Sequence, residues 1–273
     1  MPTKDGFQLT ADDIELLHFV HELRIATIDH LANLSGRSHK ALSRRLLKLQ
    51  ENRYLACLTR RPQKHVYAIG AEGVPVLIEH GYAPQDLAEK RIRHYELKEI
   101  AIRHFLFVVD IHAKLLMLTR TGPIKLSHWR EGPSLWDQAP AHDEEGRGVA
   151  IPVRPDAWFT LQHIERPEGK NKRHFFLEAD RSTMSHARMA NKITGYLNYF
   201  QKGLYAKKYP GMKFFQVATI TETRSRADHL RTDLQGIIPP ASRSAYPFVA
   251  FEDLTIESLI PPAAAPAPAA SAS

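Results

Sequence analysis

RPDAWFTLQHIERPEGKNKRHFFLEADRSTMS, residues 154 to 185, decides how the second half of the chain is read. Two runs rich in aromatic and apolar residues flank a segment with Pro167 and Gly169, the pattern of a β-hairpin. In the second run positions i and i+2 face the same way, so Glu178 and Asp180 project together while Phe175, Leu177 and Ala179 project to the other side. Asp156 opens the first run, and antiparallel pairing carries it to the same end of the sheet. Three carboxylates at close range repel one another unless a cation joins them. A few hard oxygen donors with room for water and phosphate suit Mg²⁺ or Mn²⁺. Such a metal orients a water and stabilises charge on a phosphodiester. The competing reading is structural: Glu178 pairs with Arg181, Arg188 or Lys192 in a buried ion network, and Ser182 or Thr183 caps the next helix.

Around this hairpin the pattern is α/β. Strands are expected at 124–129, 156–162, 174–180 and 213–221, with a helix over 185–205 between the last two. A further helix over 224–236 precedes a short strand at 247–251. The segment 132–150, rich in Gly, Pro and acids, reads as a loop. Residues 259–273 form an Ala/Pro-rich tail with the composition of disorder.

The first ninety residues read differently. Thr10-Ala-Asp-Asp13 offers a cap and an acidic first turn to a helix carrying Ile14, Leu16, Leu17, Val20 and His21. A short helix follows over 27–34, then a basic one over 38–52. In the latter Leu42, Leu46 and Leu49 share one face, with Arg37, Lys40, Arg44 and Lys48 opposite. Two short strands joined by Pro62-Gln63-Lys64 and a closing helix at 71–81 complete the unit. Between Gly36 and Lys64 stand nine lysines and arginines, among them Arg45, Arg60 and Arg61, against one acid, Glu51. A merely solvated face would carry acids as well, so the imbalance points to a polyanion, double-stranded DNA. A long helix over 94–119, with Leu97, Ala101, Val108, Ile111 and Leu115 on its apolar face, leads into the second half. His104 and His112 on that face read as core histidines rather than metal ligands.

The order helix, short helix, basic helix, basic-tipped hairpin resembles a winged helix-turn-helix over residues 8 to 82. That resemblance implies that the 38–52 helix enters the major groove and that the Arg60 to Lys64 turn touches the neighbouring backbone. Winged helices also serve as protein–protein modules, which is the alternative to DNA binding. Pro155-Asp156, then Glu178-Ala179-Asp180 after a hairpin and followed by a helix, resembles the PD-(D/E)xK nuclease core. Asp180 stands where that pattern has lysine, and Lys192 on the following helix is the candidate to supply the charge instead. Taken together, the N-terminal unit, RHFLFVVDIHAKL, HWREG, RPDAWFTL, FFLEADRSTMS and KITGYLNYF resemble the replication-relaxation family of plasmid and mobile-element proteins. The family resemblance implies a DNA-binding protein of replication or mobilisation. It also places Asp156, Glu178 and Asp180 as metal-binding acids, with Arg181, Ser182 and Thr183 in the turn into the helix. Glu131 is a further candidate ligand.

The expected fold class is therefore α+β: a winged helix over 1–83, a linking helix over 84–121, and a restriction-endonuclease-like domain with a mixed sheet over 122–258. Two functions stay open. One is a metal-dependent DNA nickase or relaxase using Asp156, Glu178, Asp180 and Lys192. The other is a non-catalytic regulator or replication accessory factor that holds DNA and recruits other replication or mobilisation proteins. Cleavage through Tyr196 or Tyr199 has little in its favour, because no histidine cluster adjoins either residue. With 43% hydrophobic residues, a formal charge of +7 and Cys57 as the single cysteine, the chain reads as a cytoplasmic protein without disulfides or a membrane partner. The opening MPTKDGFQLT lacks the apolar run of a signal peptide.

Overall fold

The structure, a computed structural model, describes residues 7–58, 65–84, 99–142, 146–182 and 184–260. The expectations for Arg60, Arg61, Lys64, Leu97, Thr183, the first six residues and the tail from residue 261 lie outside the described residues. Two compact units divide the chain, Met1–Arg120 and Thr121–Ser273.

The first unit begins with α1 (Ala11–Leu23), whose start is a capping box. Thr10 accepts the Asp13 amide, and the Asp13 carboxylate accepts the Thr10 amide and hydroxyl, both at 2.7 Å. A two-residue strand β1 (Ala26–Thr27) leads into α2 (Ile28–Ser35), where Thr27 and His30 repeat the reciprocal cap. The far ring nitrogen of His30 then meets Asp110 at 2.6 Å. Ser38 caps α3 (His39–Glu51), which buries Leu42, Leu46 and Leu49 as its periodicity predicts. Strands β2 (Leu55–Cys57) and β3 (Val66–Ile69) pair antiparallel, β1 adds to the other edge of β3, and α4 (Gly73–Glu79) follows. A Cβ at Gly70 would lie 2.1 Å from the Arg53 carbonyl, so only glycine lets the chain pass there. The long helix α5 (Glu99–Leu118) packs Val109 and Ala113 into the same core as Leu16, Leu31 and Leu46. No helix among the described residues is long and apolar enough to cross a membrane.

The second unit is built on a five-stranded mixed sheet in the order β10-β9-β8-β7-β4. Strands β4 (Ile124–Glu131), β7 (Ala157–His163) and β8 (Lys172–Asp180) pair antiparallel. Strands β9 (Gln216–Thr221) and β10 (Phe248–Ala250) add in parallel to β8. The parallel step from β8 to β9 needs a crossover, and α6 (His186–Gln201) with α7 (Leu204–Lys208) supplies it. The fold class is thus α+β with a mixed sheet. Phe176 and Val217 on the sheet meet Met189, Ile193, Tyr196 and Tyr199 of α6, Phe215 before β9, and Leu230 of α8 (Arg224–Asp233) in one core. A last short helix, α9 (Ile256–Leu259), closes the described chain.

Four expectations are corrected. The segment 132–150 is ordered secondary structure: a 3-10 turn at Pro133–Leu135 and strands β5 (Asp137–His142) and β6 (Gly148–Val153), paired as a separate hairpin. Ala139, Ile151 and Val153 alternate inward. Pro140 and Pro152 are tolerated because both strands of a two-stranded ribbon are edges. That hairpin packs on α6, where a Cβ at Gly195 would lie 2.9 Å from Ile151. The helix expected over 185–205 is broken at Gly203, whose φ of 63° ends α6 and starts α7. Its cap is Ser185, not Ser182 or Thr183, and the strand expected from residue 213 starts at Gln216.

Candidate functional site

Two constellations were expected to carry function, and each lies within one unit. On α3 the leucines face inward, leaving Lys40, Arg44, Leu47 and Lys48 exposed. Lys40, Arg44 and Lys48 form no ion pair among the described residues, and Glu51 is the single acid on the helix. Arg37 and Arg45, counted from sequence on the same basic surface, are engaged elsewhere. Arg37 meets Asp12 at 2.5 Å. Arg45 donates its Nε to Asp13 at 2.5 Å, closes a second contact to the same carboxylate, and reaches the Gln8 carbonyl at 2.9 Å. Its guanidinium also stacks 4.5 Å above the Phe7 ring. Asp13 is 1% exposed. Burial works to raise its pKa, but the bonds from Arg45 and Thr10 outweigh it and hold the carboxyl below its usual range. Arg45 therefore anchors α3 to α1, and the outward charge of α3 is Lys40, Arg44 and Lys48.

At the end of the sheet the expected proximity of the acids follows from register. Asp156, one residue before β7, donates its amide to the Leu177 carbonyl at 2.9 Å, and its Oδ2 accepts the Ala179 amide at 2.8 Å. Its side chain thus extends the β7–β8 ladder by one rung. Glu178, 1% exposed, accepts the Tyr196 hydroxyl at 2.6 Å on Oε1 and the Lys192 ammonium on Oε2. Asp180, 2% exposed, accepts Arg226 Nε at 2.6 Å on one oxygen and the Ser182 amide at 3.0 Å on the other. Arg226 also donates to the Met184 carbonyl at 2.6 Å, tying α8 to the segment before α6. Arg181 turns away to Glu222 at 2.8 Å. Glu131, at the end of β4 beside Ala157, accepts the Trp129 indole N–H at 2.7 Å. Among the described residues no three His, Cys, Asp or Glu side chains gather closely enough to hold a metal ion together.

The electrostatics divide this end of the sheet in two. Burial pushes the Glu178 carboxyl up to about 7 against the pull of Lys192, and Asp156 adds to the rise. Burial also works against the Lys192 charge, yet Glu178 and Asp156 outweigh it and hold its pKa above the usual lysine range. Lys192, the more exposed partner, keeps its proton. Glu178 is the member whose charge changes near neutrality. Asp156, Glu178, Lys192 and Tyr196 form one coupled group, whereas Asp180 belongs with Arg226.

The replication-relaxation family model matches residues 17–213, which spans most of the first unit and the second as far as Lys213. The chain belongs to the replication-relaxation family. No curated protein and no solved structure matches it. Membership ties the chain to replication and relaxation, as the quoted motifs led us to expect.

Within this family member, most of what local sequence hides is partnership. Arg226 lies forty-six residues beyond Asp180, and no local pattern connects them. Tyr196 was weighed as a nucleophile, whereas it is a buried donor to Glu178 and burial pushes its hydroxyl well above the usual range. Asp12 and Asp13 were read as acids favourable to a helix start, which hid their second task of holding Arg37 and Arg45. Leu47 was passed over because a lone leucine carries no charge, yet it is 54% exposed between Arg44 and Lys48. His112 fits the core reading: it is buried, and burial lowers its pKa to about 3.

Proposed function

We propose that the chain is a double-stranded-DNA-binding protein of a plasmid or mobile element, acting in replication or mobilisation in the cytoplasm, and that it holds DNA through Lys40, Arg44 and Lys48. One observation carries this reading: three exposed cations on α3 have no acid among the described residues to neutralise them, while the two arginines beside them do. The succession α1, β1, α2, α3, β2, β3 supports the winged helix-turn-helix reading, in which α3 would be the helix laid in the major groove. Leu47 on the same exposed side offers an apolar contact of the kind that meets a thymine methyl. Arg60, Arg61 and Lys64, outside the described residues, are expected to add backbone contacts. Duplex binding followed against salt tests the reading. Replacing Arg44 and Lys48 by Ala lowers the slope of log K against log salt by about two, at ~0.9 per lost phosphate contact. An unchanged slope moves the DNA face elsewhere.

For the second unit, a restriction-endonuclease-like α/β domain is the finer reading of the mixed sheet. Its acids do not fit a divalent cation as they stand. Both oxygens of Glu178 and both of Asp180 accept N–H or O–H donors, and one oxygen of Asp156 does so too. This favours the non-catalytic function, in which the acid cluster stabilises the end of the sheet and the unit serves to recruit replication or mobilisation partners.

A Mg²⁺- or Mn²⁺-dependent nickase is the second reading, favoured by one observation. Lys192 lies on Glu178 while the Asp156 charge acts on both, an acid pair with a lysine supplied from α6 in place of position 180. Supercoiled plasmid incubated with and without Mn²⁺ decides between them. Conversion to open circle by wild type that is lost in Asp156→Ala supports the nickase. Tight DNA binding without conversion leaves the non-catalytic reading.

A further inference from the structure

At the opposite end of the β7–β8 hairpin from the acid cluster, cross-strand register builds a small pocket. Ile124 pairs with His163, Leu161 pairs with Arg173, and the His163 amide bonds to the Asn171 carbonyl, so all five residues stand on one face of the sheet. With Arg166 and Lys170 from the turn, and Ile260, they line a cavity of about 50 Å³. Arg166, Lys170 and Arg173 are exposed, and none forms an ion pair among the described residues. The turn also carries Glu165 and Glu168, both exposed and outside the pocket lining. Three cations thus converge on a cavity that no carboxylate among the described residues lines.

A second observation concerns the floor. Asn171 is 9% exposed, and its buried side-chain oxygen has no hydrogen-bond partner; the buried Nδ1 of His163 has none either. Buried polar atoms are almost always satisfied, so two orphans side by side ask for a partner. The two ends of an asparagine amide exchange by a flip, and a neutral imidazole carries its hydrogen on either nitrogen. Both residues line the pocket, so a turn of either side chain toward the cavity gives its unsatisfied group an acceptor seated there. The larger cavity, about 540 Å³ beside α8 and β10, offers no such vacancy of charge. There Arg224 is bound to Asp253, Arg231 to Asp228, and Arg243 to the Gln235 carbonyl.

The geometry points to an oxyanion site: Arg166, Lys170 and Arg173 surround one phosphate group, with the side chains of Asn171 and His163 as donors beneath it. The space admits a single tetrahedral anion and no nucleoside. Such a group comes either from a DNA backbone or from a free phosphate, and the chemistry of recognition is the same. The site stands on its own geometry and does not depend on α3 as the DNA face.

The test titrates inorganic phosphate into the full chain at constant ionic strength and follows the amide resonances of residues 163–166 and 168–173. Wild type shows a saturable shift, and the apparent Kd rises at least tenfold in Arg166→Ala/Lys170→Ala. Both residues lie exposed in the turn, so this variant keeps its fold. Arg173→Ala repeats the loss from the strand. A second arm measures salt dependence with a 30-bp duplex. A slope lowered by about two in the double variant, at ~0.9 per contact, identifies the anion as a DNA phosphate. An unchanged slope with phosphate affinity lost identifies a free oxyanion. If phosphate produces no saturable shift in wild type, or the same shift in the variants, the site is overturned whatever the duplex does. Lys40→Ala/Arg44→Ala/Lys48→Ala leaves the phosphate titration unmoved, so failure of the α3 reading is told apart from failure of this one.

Discussion

Glu178→Gln should make the second unit progressively more stable than wild type as pH rises from about 5 to 8. The carboxyl is fully buried and its pKa in the fold is about 7, above the unfolded value of 4.5. For an acid raised on folding, the folded state holds its proton longer, so stability falls as pH climbs through the window between the two values. The gap of roughly 2.5 units at about 1.36 kcal/mol each sets the full cost near 3 kcal/mol above pH 7. Below pH 4.5 the acid is neutral in both states and the cost is absent. Glutamine keeps an acceptor for Lys192 or Tyr196 without the charge, so it escapes the loss. All three tryptophans, Trp129, Trp136 and Trp158, lie in the second unit, so urea unfolding followed by tryptophan fluorescence reports that unit alone. The quantity to plot is the stability of Glu178→Gln minus that of wild type against pH, which cancels the other titrating groups. A difference that is flat between pH 5 and 8 refutes the reasoning. One that falls shows Lys192 to dominate and the carboxyl to be depressed.

Other perturbations follow from the same contacts. Arg226→Ala strands the Asp180 carboxylate in the interior and should cost about 3 kcal/mol by the same fluorescence assay. Adding Asp180→Asn should recover part of that loss, and no recovery would mean that Arg226 acts through its bond to Met184 instead. His112 is neutral in the fold down to about pH 3, so the unfolded chain alone takes up its proton below about 6.5. Stability of the first unit should therefore drop between pH 6.5 and 3. His112→Phe should flatten that drop in amide exchange of α5, and an equally steep drop in the variant would assign it to another group.

Periodicity and caps were the legible part of this sequence. The leucine face of α3, the Thr10 cap of α1 and the paired runs around residue 167 each state their element within a dozen residues. The placement of Asp156, Glu178 and Asp180 at one end of the sheet was legible too, because strand register is local arithmetic, but Asp180 pairs with Arg226 and the three do not gather into one cluster. Partnership was not. Whether Glu178 meets Lys192 or Arg188 depends on the rotation of α6 over the sheet, and the Arg226–Asp180 pair on the return of α8. The 137–153 hairpin was hidden by its composition: prolines and acids mark loops on average, and only the inward alternation of Ala139, Ile151 and Val153 betrays a ribbon. On α3, sequence spacing cannot separate an arginine that faces DNA from one that reaches back to a buried acid. Arg44 and Arg45 are adjacent in the chain and differ only in direction.

That adjacency supplies the most direct measurement of the central claim, that the free basic side of α3 holds DNA. Salt dependence of duplex affinity and thermal stability are measured together for wild type, Arg44→Ala and Arg45→Ala. Arg44→Ala should lower the salt slope by about 0.9 and leave the melting temperature within error. Arg45→Ala should do the reverse, keeping the slope in the folded protein while exposing the cost of the unpaired Asp13, about 3 kcal/mol. Equal slopes for wild type and Arg44→Ala, or a slope loss confined to Arg45→Ala, would contradict the account.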